Sequence, residues 1–463
     1  MADEGRRRVG GRAAGVVLVV AAVAASGVFL DRSVGPKSAS AGTGPGAYSG
    51  AWFCPHGGGD GWKGWVAVTN PGPVPVGVRV TTFGKRAPAA GGSFSLPART
   101  ERLVEVPATD PADTAEVEYF GGWVGAGAIL DTGGTTPRTT AERCAPASHR
   151  TWFLPDGTTT TGQTAWLVVM NPFAKDAEFS VTIRTEKRSV QPGPLTPSVL
   201  GAGRSVAIKL NDFALAGPGE KTITAEVVGK IGRVVAGSLE VGTDGVRSDP
   251  GIPAASKQWF LPVAGYPGPA TLSIQDPGSR RVDLSVVDEG QDELKLASGV
   301  SGISVPAGGV LTYAAGVLPG AGVSVQAMNG VPFVLSGRVG GRNGDVATVD
   351  PVASSARRWV VPVTCPASGG QAILILLDTG RARVEVRVTA IGPEGPIPSQ
   401  ALASITVLPG RVVQVPLPAG PNGAPASALV ESTGDPVVAG GACDAAGGSG
   451  HSATAGIPVT GKL

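Results

Sequence analysis

The pattern closest to catalytic chemistry is Asp-Thr-Gly, which occurs twice behind apolar residues, at Asp131-Thr132-Gly133 and Asp378-Thr379-Gly380. Two such triplets are what an aspartic-type hydrolase needs to bring two carboxylates onto one shared proton. Asp378, however, falls at a strand-ending position held elsewhere in the chain by Asn70, Asn171 and Asp276, where Asx side chains form turns. Asp131 follows the last strand of its own segment, so the two acids are not equivalent and a symmetric dyad is not expected.

Metal and phosphate chemistry find even less support. The chain has three histidines, His56, His149 and His451. Joining Cys54 to Cys144 would draw His56 toward His149, with Asp60 or Glu142 nearby, but solvated histidines are far commoner than ligands. No G-x-S-x-G, H-E-x-x-H, Walker loop or dinucleotide fingerprint occurs in a fitting context. The stretch HGGGDG (56–61) lacks the lysine and following helix of a phosphate loop. No catalytic residue, cofactor or metal ligand is assigned, and the expectation is a protein that is not an enzyme.

The first thirty residues carry the whole formal net charge of +2, through Arg6, Arg7, Arg8 and Arg12 against Asp3 and Glu4. The remaining body is neutral and has no basic stripe, which excludes nucleic acid as a partner. Residues 13–30, AAGVVLVVAAVAASGVFL, are uncharged and of the minimum length to span a bilayer as a helix. With arginines before it, this run predicts a signal anchor: 1–12 as a cytoplasmic stub, 13–30 as a transmembrane helix, and the body outside the cytoplasm. A cleavable signal peptide ending near Ala22-Val23-Ala24 is the competing reading, although Val28-Phe29-Leu30 continues the apolar run past it. Residues 31–50 read as a flexible linker.

The body then repeats itself four times. Trp52-Phe53-Cys54-Pro55, Trp152-Phe153-Leu154-Pro155, Trp259-Phe260-Leu261-Pro262 and Trp359-Val360-Val361-Pro362 open the copies. Each is followed by a strand ending in a polar turn: WVAVTNP, WLVVMNP, TLSIQDP and ILILLDT. An alternating strand such as VGVRVTTF or VEVRVTAI comes next, with the two-residue period of a half-buried sheet. The steps of about 100 residues suit an immunoglobulin-like β-sandwich and are too long for a propeller blade. The expected fold is all-β, with four tandem immunoglobulin-like sandwiches at 51–148, 149–256, 257–356 and 357–463. Ile457-Pro458 resembles Ile252-Pro253 and is expected to finish the last copy.

Cys54 and Cys144 bracket the first copy, and Cys365 and Cys443 bracket the fourth. In an exported chain an even count reads as disulfides, and bracketing favours Cys54–Cys144 with Cys365–Cys443. The pairing Cys54–Cys443 with Cys144–Cys365 would instead tie the array into a ring. The four opening tryptophans read as core residues. Trp62 and Trp123, set among glycines, are the candidate ligand contacts, because an exposed indole can stack on a sugar or anchor a partner.

The Trp-Phe-x-Pro openings, the Asn-Pro strand ends and the arginine-rich N-terminus resemble an uncharacterised family of actinobacterial membrane-anchored proteins. The resemblance covers essentially the whole chain and implies a cell-envelope location, with no activity to transfer. The expected function is a non-catalytic extracytoplasmic scaffold or adaptor. It would sit on a single-pass membrane tether through residues 13–30, with envelope proteins or glycans as partners. Glycan binding through the tryptophans is the alternative.

Overall fold

The computed structural model describes residues 49–463 except 107–108, 133–137, 214–219, 221, 243–244, 264–269, 291–293, 297–301, 316–321, 341–344, 367–369, 446–449 and 460–462. The first of the four units comprises β1 (Ser49–Cys54), β2 (Lys63–Asn70), β3 (Val76–Phe83), β4 (Ala89–Leu96), β5 (Thr100–Val106), β6 (Thr114–Phe120), β7 (Gly125–Asp131) and β8 (Thr139–Arg143). They form two antiparallel sheets, ordered β1-β6-β3-β4 and β5-β2-β7-β8. The other units repeat this plan, with the counterpart of β4 split into two short strands.

Alternation accounts for the first sheet: Val76, Val78 and Val80 point inward from β3, while Arg79 between them is exposed. Trp52, Val78 and Val117 of this sheet share one buried cluster with Val66, Val106 and Ala126 of the other. The opening tryptophans tie the two sheets together. Trp52, Trp152, Trp259 and Trp359 are 5%, 1%, 5% and 0% exposed. Their Nε1–H groups donate to the carbonyls of Val124, Val234, Phe333 and Val437 at 2.7–2.9 Å, at the start of the strand that pairs with the second strand of each unit. Disulfides bridge Cys54 to Cys144 and Cys365 to Cys443.

Several expectations are corrected. In an immunoglobulin-like domain the first strand lies beside the second. Here β1 pairs with β6, and β7 takes the place beside β2. Each sheet is an open path with two edge strands, so neither the immunoglobulin order nor a closed sandwich-type sheet is present among the described residues. The units are not strung in series either, because Ser49–Leu463 forms one compact body. The only helices among the described residues are four three-residue 3-10 turns, none long and apolar enough to cross a membrane. Residues 13–30, on which the anchor was read, lie outside the described residues. The single-pass topology, the membrane as partner and the tethered location are therefore not carried forward.

The units close on themselves. β8 packs against Gly245–Pro250 of the second unit and His451–Ala455 of the fourth, and Val346–Val349 of the third packs against both. The eighth strands thus meet at a common centre. Around them each unit's fifth strand region meets the preceding unit. Ser205 N–H donates to Gly84 O at 3.1 Å and Val412 N–H to Gly290 O at 3.2 Å. Thr312 Oγ1–H donates to Glu186 Oε1 at 2.8 Å. Glu101 closes the circuit, accepting from Ser427 N–H of the fourth unit at 2.8 Å. Head-to-tail contacts of this kind make a ring when the rotation closes.

Glycines let the opening prolines approach. A Cβ on Gly237 would lie 2.8 Å from Pro55 Cγ, one on Gly440 2.7 Å from Pro262 Cβ, and one on Gly127 2.8 Å from Pro362 Cβ. Gly127, Gly237 and Gly440 are cross-strand partners of Ala67, Val168 and Ile375, at matching places in their units. In the third unit the same place, opposite Ser273, is held by Ser336.

Candidate functional site

That exchange of serine for glycine marks the one polar contact among these positions. Ser336 Oγ–H donates to Asp249 Oδ2 of the second unit at 2.8 Å, and Ser273 Oγ–H donates to Asp156 Oδ1 at 2.9 Å. Arg338 bonds Asp156 at 2.5 Å and Glu240 at 3.2 Å, and Glu240 also holds Arg247. Asp156, Asp249 and Glu240 are 6%, 4% and 4% exposed, so the contact between the second and third units is a buried polar network.

The network continues to the centre of the ring. Asp249 lies within hydrogen-bonding reach of Asp350, which follows the eighth strand of the third unit and is 2% exposed. Thr454 Oγ1–H of the fourth unit donates to Asp350 Oδ2 at 3.3 Å. Arg143 of the first unit donates to Pro351 O at 2.9 Å, with its Nε 4.0 Å from Asp350 Oδ2. Glu142 bonds His56 Nδ1 at 2.7 Å, and both side chains are fully buried. All four units therefore meet through polar side chains at the axis. Burial pushes the Asp350 carboxyl up to about 7, with Arg143 opposing and Glu142 reinforcing, and it pushes Asp249 well up, with Asp350 adding repulsion.

A close carboxyl pair thus exists, but it is Asp249 with Asp350 and not the Asp-Thr-Gly acids. Asp131 is on β7 and Asp378 ends the second strand of the fourth unit, and the acids facing Asp378 are Glu289 and Asp435. The histidines also stay apart. His56 is held by Glu142, His149 packs edge-on to Trp152 at 5.2 Å, and His451 faces Asp444 at 3.3 Å. No group of three potential metal ligands occurs among the described residues.

Trp62 is 8% exposed, donates to Gly57 O at 3.1 Å and packs with Leu130, Val168, Leu239 and Val246 where the first two units meet. Trp123 stands edge-on to Trp52 at 6.0 Å and packs near Val360 and Leu429 of the fourth unit. The two indoles belong to opposite contacts of the first unit and do not line one groove.

Asp378 and Asp276 differ instructively from their asparagine counterparts. Asn70 Nδ2 donates to the carbonyls of Val74, Leu96 and Pro97 at 2.8–3.2 Å while its Oδ1 accepts Gly72 N–H. Asp378 Oδ1 accepts Gly380 N–H at 2.7 Å, but its Oδ2 has no hydrogen-bond partner among the described residues. Burial raises the Asp378 carboxyl. A raised folded-state value means that its stabilising contribution is present below the ordinary aspartate range and is lost as pH rises through the folded value. Asp378→Asn restores the missing donors, so it is expected to raise stability at pH 8 by about 1 kcal/mol and to gain little at pH 4. Paired thermal melts at the two pH values check this; equal shifts at both would refute the carboxyl's part.

No protein-family model matches the chain, and no curated protein matches it. Among solved structures, a crystal structure of Thermotoga maritima 1070 is similar at 21% identity, over 23% of this chain and 94% of that one, with a TM-score of 0.20. A Streptomyces avermitilis alpha-L-rhamnosidase complexed with L-rhamnose is similar at 10% identity, over 80% of this chain and 54% of that one, with a TM-score of 0.13. The chain thus spans about half the length of the second structure. Neither likeness is strong enough to bear on fold or function, and the membrane-tethered array of separate sandwiches, with its envelope partners, is set aside on the ring geometry and the helix content described above.

Proposed function

We propose that this protein acts by binding and not by catalysis, as a closed, disulfide-stapled all-β body whose four units are held in fixed relation. The sealing of the Asp249 and Asp350 carboxyl pair is the observation that carries this reading. Asp249 and Asp350 are 4% and 2% exposed, and their donors are Ser336 and Thr454 of neighbouring units. A dyad needs substrate within about 3 Å of its reacting carboxyl. Here that space is filled by contacts that hold the ring together. A preformed rigid body also lowers the ordering cost of binding, since its loops leave a fixed frame.

The test is an assay of the purified full chain on casein and on polysaccharide from pH 4 to 9, beside Asp131→Asn and Asp378→Asn. No turnover is expected from any of the three. Wild-type turnover that disappears in either variant with melting undiminished would overturn the reading.

A further inference from the structure

The four eighth strands run side by side along the ring axis. A Cβ on Gly245, which opens that strand in the second unit, would lie 2.7 Å from the Cβ of Arg138, just before β8. Midway, Ser248 N–H donates to Thr140 Oγ1 at 3.4 Å. At the far end Arg143 Nε stands 4.0 Å from Asp350, which follows the strand of the third unit. First residues meet first and last meet last, so these strands share one direction. Rotation about the axis then brings equivalent turns of all four units to one face of the ring. The turns after β2 and β6 lie on the face where β8 ends, since Thr69 pairs with Gly125 and Gly127 with Arg143.

Apolar side chains recur on this face at one place. Phe120, Ile231 and Met328 are 46%, 60% and 69% exposed. Phe120 stands opposite Gly77 and Ile231 opposite Glu178, while Met328 N–H donates to Asp283 O at 2.7 Å. Gly77, Glu178 and Asp283 are each the second residue of β3 or its counterpart, so the three side chains are equivalent. Val74 and Phe173, in the turn after the second strand of the first two units, are exposed as well. Single surface hydrophobics are ordinary, but recurrence at one place on one face marks an interaction surface.

Cations are interleaved with them. The turns that carry Val74 and Phe173 in the first two units carry exposed Arg280, Arg281, Arg381 and Arg383 in the other two. Lys175 is exposed beside Phe173, and Lys230 and Arg233 are exposed beside Ile231. Arg281 reaches Asp283 at 3.4 Å and Arg233 stands over the Phe173 ring at 5.9 Å. Lys175, Lys230, Arg280 and Arg381 make no ion pair among the described residues. Against these seven cations the same turns expose two acids, Asp176 and Asp435, and Asp176 already accepts Ala202 N–H at 2.9 Å. The neighbouring half-buried Asp283 and Glu385 accept hydroxyls from Ser304, Ser404 and Thr406. A body without net charge therefore turns a positive, apolar-studded face to solvent.

We infer that this face is the docking surface for an acidic protein segment bearing apolar side chains. The cations steer the segment and fix its register, and Phe120, Ile231 and Met328 anchor it. Such docking rests on the reading of the protein as a binder, and it names the surface and the chemistry of the partner.

Fluorescence anisotropy of the full chain at low ionic strength, with a labelled random copolymer of glutamate and tyrosine beside labelled polyglutamate, tests the surface. The copolymer is expected to bind at least about tenfold more tightly than polyglutamate, and Ile231→Ser with Met328→Ser should abolish that preference. Lys230→Glu, Arg280→Glu and Arg381→Glu together should weaken both probes by at least about tenfold. Lys63→Glu with Arg86→Glu, exposed at the opposite ends of the strands, is the control and should change binding less than about twofold. Failure of the wild type to bind the copolymer, a preference that survives the serine variant, equal losses in the two charge variants, or tighter binding to phosphatidylglycerol vesicles would each overturn the proposal. The first of these, with no turnover in the casein and polysaccharide assay, would remove this surface and leave the binding reading standing.

Discussion

Trp359→Ala is expected to destabilise the protein by about 3–5 kcal/mol, the range for deleting a large buried aromatic side chain. The indole is fully buried, and its Nε1–H serves the carbonyls of Val437 and Ala356 at 2.8 and 3.0 Å. Its loss leaves a cavity between the two sheets and removes a donor from the buried Val437 carbonyl, so the transfer and hydrogen-bond penalties combine. Chemical denaturation of the variant beside Phe120→Ser gives the comparison. Phe120 is 46% exposed, and its replacement should stay within about 0.5 kcal/mol. A Trp359→Ala loss no larger than that of Phe120→Ser would show that the indole does not fasten the sheets.

A second large effect is expected where the ring closes. Gly127→Val would place a Cβ 2.8 Å from both Pro362 Cβ and the carbonyl oxygen of Glu142. Neither neighbour has a flexible end that could swing away, since one is a proline ring and the other is backbone on β8. Overpacking of this kind costs about 1–3 kcal/mol. Here the damage falls on the contact that joins the first unit to the fourth, so these two units should separate before either unfolds. Gly340→Ala is the control, because an added methyl there meets nothing within 4 Å. Limited proteolysis should cut Gly127→Val well before the wild type and the control, while circular dichroism keeps its β signature. Identical cleavage in all three would argue that the first and fourth units do not depend on this contact.

The strands of each unit are written plainly in the sequence. VGVRVTTF alternates, and β3 buries the valines while exposing Arg79. The recurrence of tryptophan at one place in four copies follows from one job, a ring in the core with its N–H on a fixed carbonyl. Closure left fainter traces. LLD and VMN end second strands that are buried on both faces, and continuous apolar runs belong to such strands. The small residues of GAGAILD, which look too slight for a core strand, make room for Pro362 and Val360 of the fourth unit. These features record neighbours that lie far away in sequence, and a strand-by-strand reading assigns them to no partner. The central acids are hidden for another reason. Asp249 and Asp350 each precede a proline, and Asp-Pro reads as turn punctuation on a solvated surface. Only assembly of the four units shows that both are buried and face each other.

Small-angle X-ray scattering of Ser49–Leu463 at pH 6 tests ring closure most directly. A closed body of this chain length has a radius of gyration of about 22 Å, whereas four units in a line would give on the order of 40 Å. The expected result is a value near the first figure, a pair-distance distribution with a single maximum, and no long tail. A value near the second, or a distribution with a repeated shoulder at the spacing between units, would contradict the closed ring.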